Sequence, residues 1–239
     1  MPKGNTLAAP AGNHLLEALP EAERETLMQH LRPGHLSVKT VIFDPGQPIP
    51  FIHFPVDGVI SLVTPLADGN IVEVATIGNE GIVGVPLVPG GSLAVRAISQ
   101  VAGRTLRMEA IEFIKGLDRM PVFRALVQKY VQALFGQISQ AAACNRLHSN
   151  EERLSRWLLM SHDRVGTDTF PITHEFLGQM LGSRRATVTL SAGLLQSAGL
   201  IRYHRGRVTI VDREGLESVS CECYGIIKAA LDRVVSTAA

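Results

Sequence analysis

From Val122 to Leu147 the chain runs without proline and with one glycine, Gly136. Within that run Val127, Val131, Leu134, Ile138 and Ala141 recur at alternating four- and three-residue steps, the spacing of a coiled-coil seam. A helix of this extent is about 39 Å long at 1.5 Å per residue, more than a small domain needs to cross its own core. Two architectures accommodate it. It is either the core helix of one globule or a connecting rod whose seam meets its copy in a second subunit.

The sequence on either side differs in texture. Upstream, residues 13–31 carry apolar residues at helical spacing, with Asn13 as N-cap and Leu15, Leu16, Leu19, Leu27 and Leu31 facing inward. From about 36 to 110, β-type runs alternate with turns. The runs are LSVKTVIF (36–43), GVISLVTPL (58–66), NIVEVATI (70–77) and AVRAISQVAGRTLRM (94–108). The turns include Asp44-Pro45-Gly46, Val56-Asp57-Gly58, Ala67-Asp68-Gly69-Asn70 and Pro89-Gly90-Gly91. Many short strands at close spacing predict a sandwich or small barrel. Downstream, 150–165 reads as an amphipathic helix with Leu154, Trp157, Leu158 and Met160 as its apolar members, followed by a polar loop over 163–170. A short helix over 173–181 is capped by Thr173 and stopped by Gly182, and Ser183 caps the next helix, which Gly199 closes. Residues 200–203 and 207–211 are β-like and joined through His204-Arg205-Gly206; 215–235 holds one further helix or two short ones.

Composition removes several classes. The 239 residues bury a core without disulfide staples, and 46% hydrophobic against 19% charged residues argues against wholesale disorder. No uncharged apolar run approaches the roughly 18 residues of a membrane span, and the N-terminal sequence lacks the apolar segment of a secretory signal. Three cysteines make no secreted disulfide framework, so a cytoplasmic protein is expected. With 23 Lys+Arg against 22 Asp+Glu, global charge says nothing for a nucleic-acid partner.

Local charge does. Two helices joined at Gly182-Ser183 and followed by a strand pair with a basic tip form a winged helix-turn-helix pattern. Phe176, Leu177, Met180 and Leu181 of the first helix pack across the second, whose inner face takes Val188, Leu194 and Leu195. From Phe176 to Val211 there is no Asp or Glu, while Arg184, Arg185, Arg202, Arg205 and Arg207 all fall in that stretch, the concentration that phosphate neutralisation requires. Arg at the N-terminal end of a recognition helix bonds guanine edges, and Ser or Thr serves phosphates and thymine methyls. The candidate DNA-binding residues are therefore Thr173, His174, Ser183, Arg184, Arg185, Thr187, Thr189, Arg205 and Arg207.

The stretch ITHEFLGQMLGSRRATVTLSAGLLQSAGLI (172–201) resembles the helix-turn-helix of the Crp/Fnr family of bacterial transcription regulators, through Ile172-Thr173, Gly178-Gln179, Gly182, Arg185, Thr187-Val188, Leu195 and Leu200-Ile201. FDPGQPIPFIHFPVDGVISLV and ADGNIVEVATIGNEGIVG resemble that family's β-roll sensor, so the likeness spans about residues 13 to 215. It implies an α+β chain. A cupin-like, double-stranded β-helix sensor of the cyclic-nucleotide-binding type lies over 1–120, a dimerisation helix over 121–148 and the winged helix-turn-helix domain over 149–239. It makes Val127, Val131, Leu134, Ile138 and Ala141 a homodimer seam. It implies regulation rather than catalysis, with double-stranded DNA and RNA polymerase as partners, an unidentified small-molecule effector, and signalling by rotation of the heads about 146–150. The family's base-reading Arg falls on Arg185 and its phosphate-contacting positions on Thr187 and His174. Ala186 stands where an acid commonly follows, and Leu190 where a second Arg does, so the family's half-site does not carry over.

Cofactor expectations are negative. Where cyclic-nucleotide-binding members have a ribose-binding Glu and a phosphate-binding Arg-Ser, residues 82–95 have Val85 and Leu93-Ala94, and a buried phosphate without a cation is costly. Cyclic nucleotide is therefore not expected. No cysteine precedes Cys144, against an N-terminal iron–sulfur site. Cys221-x-Cys223 alone offers two ligands where structural zinc takes four, so no metal is expected and both cysteines read as small packing residues. Two rivals remain: a regulator without effector, and a ligand carrier or enzyme built on the β-roll.

Overall fold

The computed structural model describes residues 12–85 and 91–236. Asn13 caps α1 (His14–Glu17), its side chain accepting the Leu16 amide at 3.3 Å, and α2 is Glu21–Met28. The single helix expected over 13–31 is thus two. Pro20 lacks an amide and its ring would strike the preceding turn, so the chain breaks there, yet all five leucines assigned inward are buried.

The β domain contains β1 (Arg32–Leu36), β2 (Val41–Phe43), β3 (Phe51–Pro55), β4 (Val59–Pro65), β5 (Ile71–Ile77), β6 (Arg96–Val101) and β7 (Gly103–Glu109). They form two antiparallel sheets, ordered β1-β7-β3 and β2-β6-β4-β5. The Asp68-Gly69 turn closes the β4–β5 hairpin: Leu66 N donates to Asn70 O at 2.8 Å, and Asp68 Oδ1 accepts the Asn70 amide at 3.0 Å. The 36–43 run is not one strand. Thr40 N donates to Ser37 O at 3.1 Å, Lys39 takes φ +67°, and the chain changes sheets there. Of the expected turns, Pro89-Gly90-Gly91 lies partly outside the described residues.

α3 (Ala110–Arg119) leads into α4 (Pro121–Leu147), a helix of 27 residues opened by Pro121, where a missing amide is no loss. One face of α4 joins the core. Phe123 packs edge-on against Phe113 at 5.3 Å, Tyr130 Oη donates to Ile82 O at 2.9 Å, and Gln137 Nε2 donates to Thr76 O at 3.1 Å. Of the expected seam, Val127 and Ala141 are only 4% and 6% exposed within this chain, and Val131, Leu134 and Ile138 are half-buried. The large apolar side chains α4 leaves in solvent are Phe135 and Leu147, 70% and 76% exposed.

α5 (Asn150–Val165) opens with a capping box, Ser149 and Glu152 bonding each other's backbone amides, and ends at Gly166. Then come β8 (Thr169–Pro171), α6 (His174–Leu181), α7 (Arg185–Ser197), β9 (Ile201–His204), β10 (Arg207–Ile210), α8 (Arg213–Ser218) and α9 (Cys223–Ser236). The polar loop expected to run to Phe170 in fact ends in β8, which pairs with β10 in a sheet ordered β8-β10-β9; a three-residue strand is too short to show a period. Among the described residues no helix is long and apolar enough to cross a membrane.

Polar contacts seat the helical head on the β domain. Glu73 of β5 accepts the Trp157 indole N–H from α5 at 2.9 Å, and Arg164 of α5 bonds Glu80 at 2.7 Å and Thr76 O at 3.2 Å.

Candidate nucleic-acid interface

α6 begins at Thr173, whose hydroxyl accepts the Phe176 amide at 3.2 Å. It ends at Gly182, φ +58°, a left-handed turn that a Cβ would disfavour. Gly178 answers a separate need: a Cβ there would lie 2.8 Å from Ser183 O, so α7 closes on α6 only over a glycine. Val188, Ala192 and Leu195 turn α7 inward, and Ser191 Oγ donates to Glu151 of α5 at 2.7 Å. Arg184 and Arg185 are left exposed at its N-terminal end, which carries no acid in its first turn.

His174 ties the parts together. Its Nδ1 lies 3.0 Å from Thr189 Oγ1 on α7, its ring stacks on Tyr203 of β9 with centroids 4.1 Å apart, and Nε2 is buried without a partner among the described residues. Burial first, then the Arg185 charge, lowers its pKa below the ordinary value. Tyr203 Oη donates to Ile172 O at 2.7 Å, its amide to Gln196 Oε1 at 2.7 Å, and the Ile172 amide to Gly206 O at 2.8 Å. Helix pair and wing are therefore one unit. Its tip carries Arg205 at φ +46° beside Gly206. Arg184, Arg185, Arg202, Arg205 and Arg207 are all exposed on this unit, and none forms an ion pair among the described residues.

Two expectations are corrected. Ser183 does not cap α7: its hydroxyl donates to Asn150 Oδ1 at 2.5 Å, and the N-cap position falls on Arg184, which makes no side-chain capping bond. Leu194 is 60% exposed, since the buried stripe runs through 188, 191, 192 and 195 and the next position lies about 100° around the helix. Thr187 is half-buried, and Thr189 is exposed but bonded to His174 and to Arg185 O, the latter at 2.9 Å.

A second feature sits between the four-stranded sheet and α4. An apolar cavity of about 210 Å³ is lined by Leu62, Ile77, Ile82, Gly84, Val85 and Leu93–Val95, and across from them by Val131, Leu134, Phe135 and Ile138. Val85, Leu93 and Ala94 do reach it, and among the described residues no charged side chain lines it. Arg96 is held elsewhere, by Asp44 at 2.6 Å. Residues 86–90 of the expected cassette lie outside the described ones.

A third feature escaped the sequence reading. Cys221 and Cys223 do not stand alone: the fold brings Cys144 and His148 to them. Cys144 and His148 are four apart on α4, a Cys-x-x-x-His step that a search for paired histidines passes over. The Cys144 thiol is pulled down to about 5, chiefly by a hydrogen bond from Cys221 and further by Arg156, and the same bond pushes Cys221 up.

The sequence model of the Crp-like helix-turn-helix domain matches residues 152–219. The global nitrogen regulator of Synechococcus elongatus is 27% identical over 186 residues, 72% of this chain and 82% of that protein. FixK2 from Bradyrhizobium japonicum superposes with a TM-score of 0.69 at 14% identity, covering 80% of this chain and 98% of its own. A Crp/Fnr-family regulator from Eubacterium rectale gives 0.65 at 18%, covering 86% and 96%. These structural likenesses speak to fold. Residues 152–219 thus carry a Crp-like helix-turn-helix domain, set behind a β-sheet domain and a long connecting helix in the arrangement of the Crp/Fnr regulators that the chain resembles.

Proposed function

We propose that the protein works as a homodimer whose two heads enter successive major grooves of a pseudo-palindromic operator, about 34 Å apart. One observation carries this reading: five exposed arginines without acid partners on a single unit that joins α7 to the wing. Arg184 and Arg185 face bases from the N-terminal end of α7; Arg205 and Arg207 face phosphates from the wing. The dimer forms along the outer face of α4, where Phe135 and Leu147 are exposed, and RNA polymerase contact is the expectation that the likeness to Crp/Fnr regulators carries. The signal is an apolar small molecule in the cavity beneath α4 rather than a cyclic nucleotide, because nothing lining that cavity neutralises a phosphate.

Duplex binding measured by fluorescence anisotropy against a selected site and random DNA tests the interface. Arg185→Ala should cost about 1–3 kcal/mol on the selected site and relax preference at one base pair. Arg205→Ala should weaken all duplexes alike and reduce the salt slope by about 1. Sequence-selective loss at Arg205, or no duplex binding in dilute buffer, would overturn the reading.

A further inference from the structure

We propose that Cys144, His148, Cys221 and Cys223 form a structural zinc site that clips the end of α4 to the start of α9. The four donor atoms, three Sγ and an imidazole nitrogen, all lie within 4.8 Å of one another. Cys144 Sγ and Cys221 Sγ are 3.5 Å apart, as are Cys223 Sγ and His148 Nδ1. A tetrahedral ion with Zn–S of about 2.3 Å and Zn–N of about 2.0 Å separates its ligands by about 3.8 Å (S to S) and about 3.5 Å (S to N). Two of the six donor separations therefore lie within a few tenths of an ångström of the tetrahedral values, and the remaining four, all within 4.8 Å, need to close by no more than about 1.3 Å. The chemistry is equally specific, because three soft thiolates with one imidazole select zinc over magnesium or calcium.

The surroundings fit a metal better than an apolar cluster. His148 turns Nδ1 toward the sulfurs and has Nε2 at 3.3 Å from the Glu222 carboxylate, the arrangement that fixes the tautomer of a metal-bound histidine. Gln140 Nε2 donates to Cys223 Sγ at 3.1 Å, which suits a thiolate acceptor. Two buried arginines form no direct ion pair among the described residues, although Arg156 also feels the Glu73 carboxylate. Arg156 is 7% exposed, its Nη1 reaches the Met160 thioether at 3.3 Å and its Nε has no partner; Arg153 is 8% exposed and its Nε is also unpartnered among the described residues. Binding of Zn2+ to three thiols and a neutral imidazole releases the three thiol protons to solvent and leaves the site with one net negative charge. That charge would act favourably on the two guanidinium groups, which already feel the cysteine sulfurs. Cys144 and His148 immediately precede the α4–α5 junction, so the ion would fasten the head's last helix at the point where rod and head meet.

The test uses the full chain purified without a metal-affinity step. Elemental analysis should find zinc at one per chain, and cobalt substituted for it should show thiolate-to-metal charge transfer. The chain has three cysteines, all in the site, so alkylation gives a clean readout: all three resist it as purified and react after a strong chelator, while circular dichroism reports that the chain stays folded. Cys223→Ser and His148→Ala should each lose the metal, and Glu222→Gln should weaken zinc affinity by about 10–100-fold. Zinc absent or far below stoichiometric, iron in its place, zinc retained by Cys223→Ser, or a Cys144–Cys221 disulfide in the purified protein would each overturn the proposal. The result is independent of the DNA-binding reading, since no residue of that interface is a ligand.

Discussion

Glu73 is a buried carboxylate at the centre of the contact between sheet and head. It accepts from Trp157 Nε1 and Thr76 Oγ1, both at 2.9 Å, and from Ser61 and Gln100. Burial raises its pKa above the ordinary value, against the opposing pull of those hydrogen bonds and of Arg156. A carboxyl whose folded pKa is raised holds its proton more tightly folded than unfolded. Its contribution to stability is therefore complete below the unfolded value of 4.5 and is lost as pH rises through the folded one. Glu73→Gln keeps an acceptor and removes the charge. It should flatten the pH dependence of denaturant unfolding above pH 4.5 and be no less stable than the parent at pH 8. Glu73→Ala strands the Trp157 indole N–H and should cost about 1–3 kcal/mol. Equal losses in the two variants would contradict this account.

At the scale of elements, α4 decides most. Its inward face is committed to the chain's own core through Phe123, Tyr130 and Gln137, which leaves Phe135 and Leu147 for a partner. Of the heptad positions, Val127 and Ala141 are buried within this chain, whereas Val131, Leu134 and Ile138 keep part of their surface in solvent. An apolar period reports that a face is buried, without saying against what. Phe135→Glu places a charge in the proposed dimer face. It should shift sedimentation toward monomer and weaken binding to a two-half-site duplex far more than to a single half-site. Unchanged mass would place the interface elsewhere.

At the scale of the molecule, the apolar cavity lies where the sheet meets the rod, and the rod leads to the head. A ligand there touches α4 directly through Val131, Leu134, Phe135 and Ile138. Cyclic AMP should leave Tm unchanged, because a bound ligand at about 100 times its Kd would add about 2.7 kcal/mol to stability and be unmistakable. A rise in Tm that Leu93→Glu abolishes would refute the assignment.

What the sequence alone determined is local. Caps at Asn13 and Thr173, the stop at Gly182, the Asp68-Gly69 hairpin and the acid-free arginine stretch are legible because each depends on residues within a few positions of one another. Tertiary structure decided what links distant positions. The break at Lys39, the capture of Ser183 by Asn150, the inward turn of Val127 and Ala141, and the joining of Cys144 and His148 to a pair more than seventy residues away all follow from how the whole chain buries itself. Burial is a property of the packed chain, and no short window of sequence contains it.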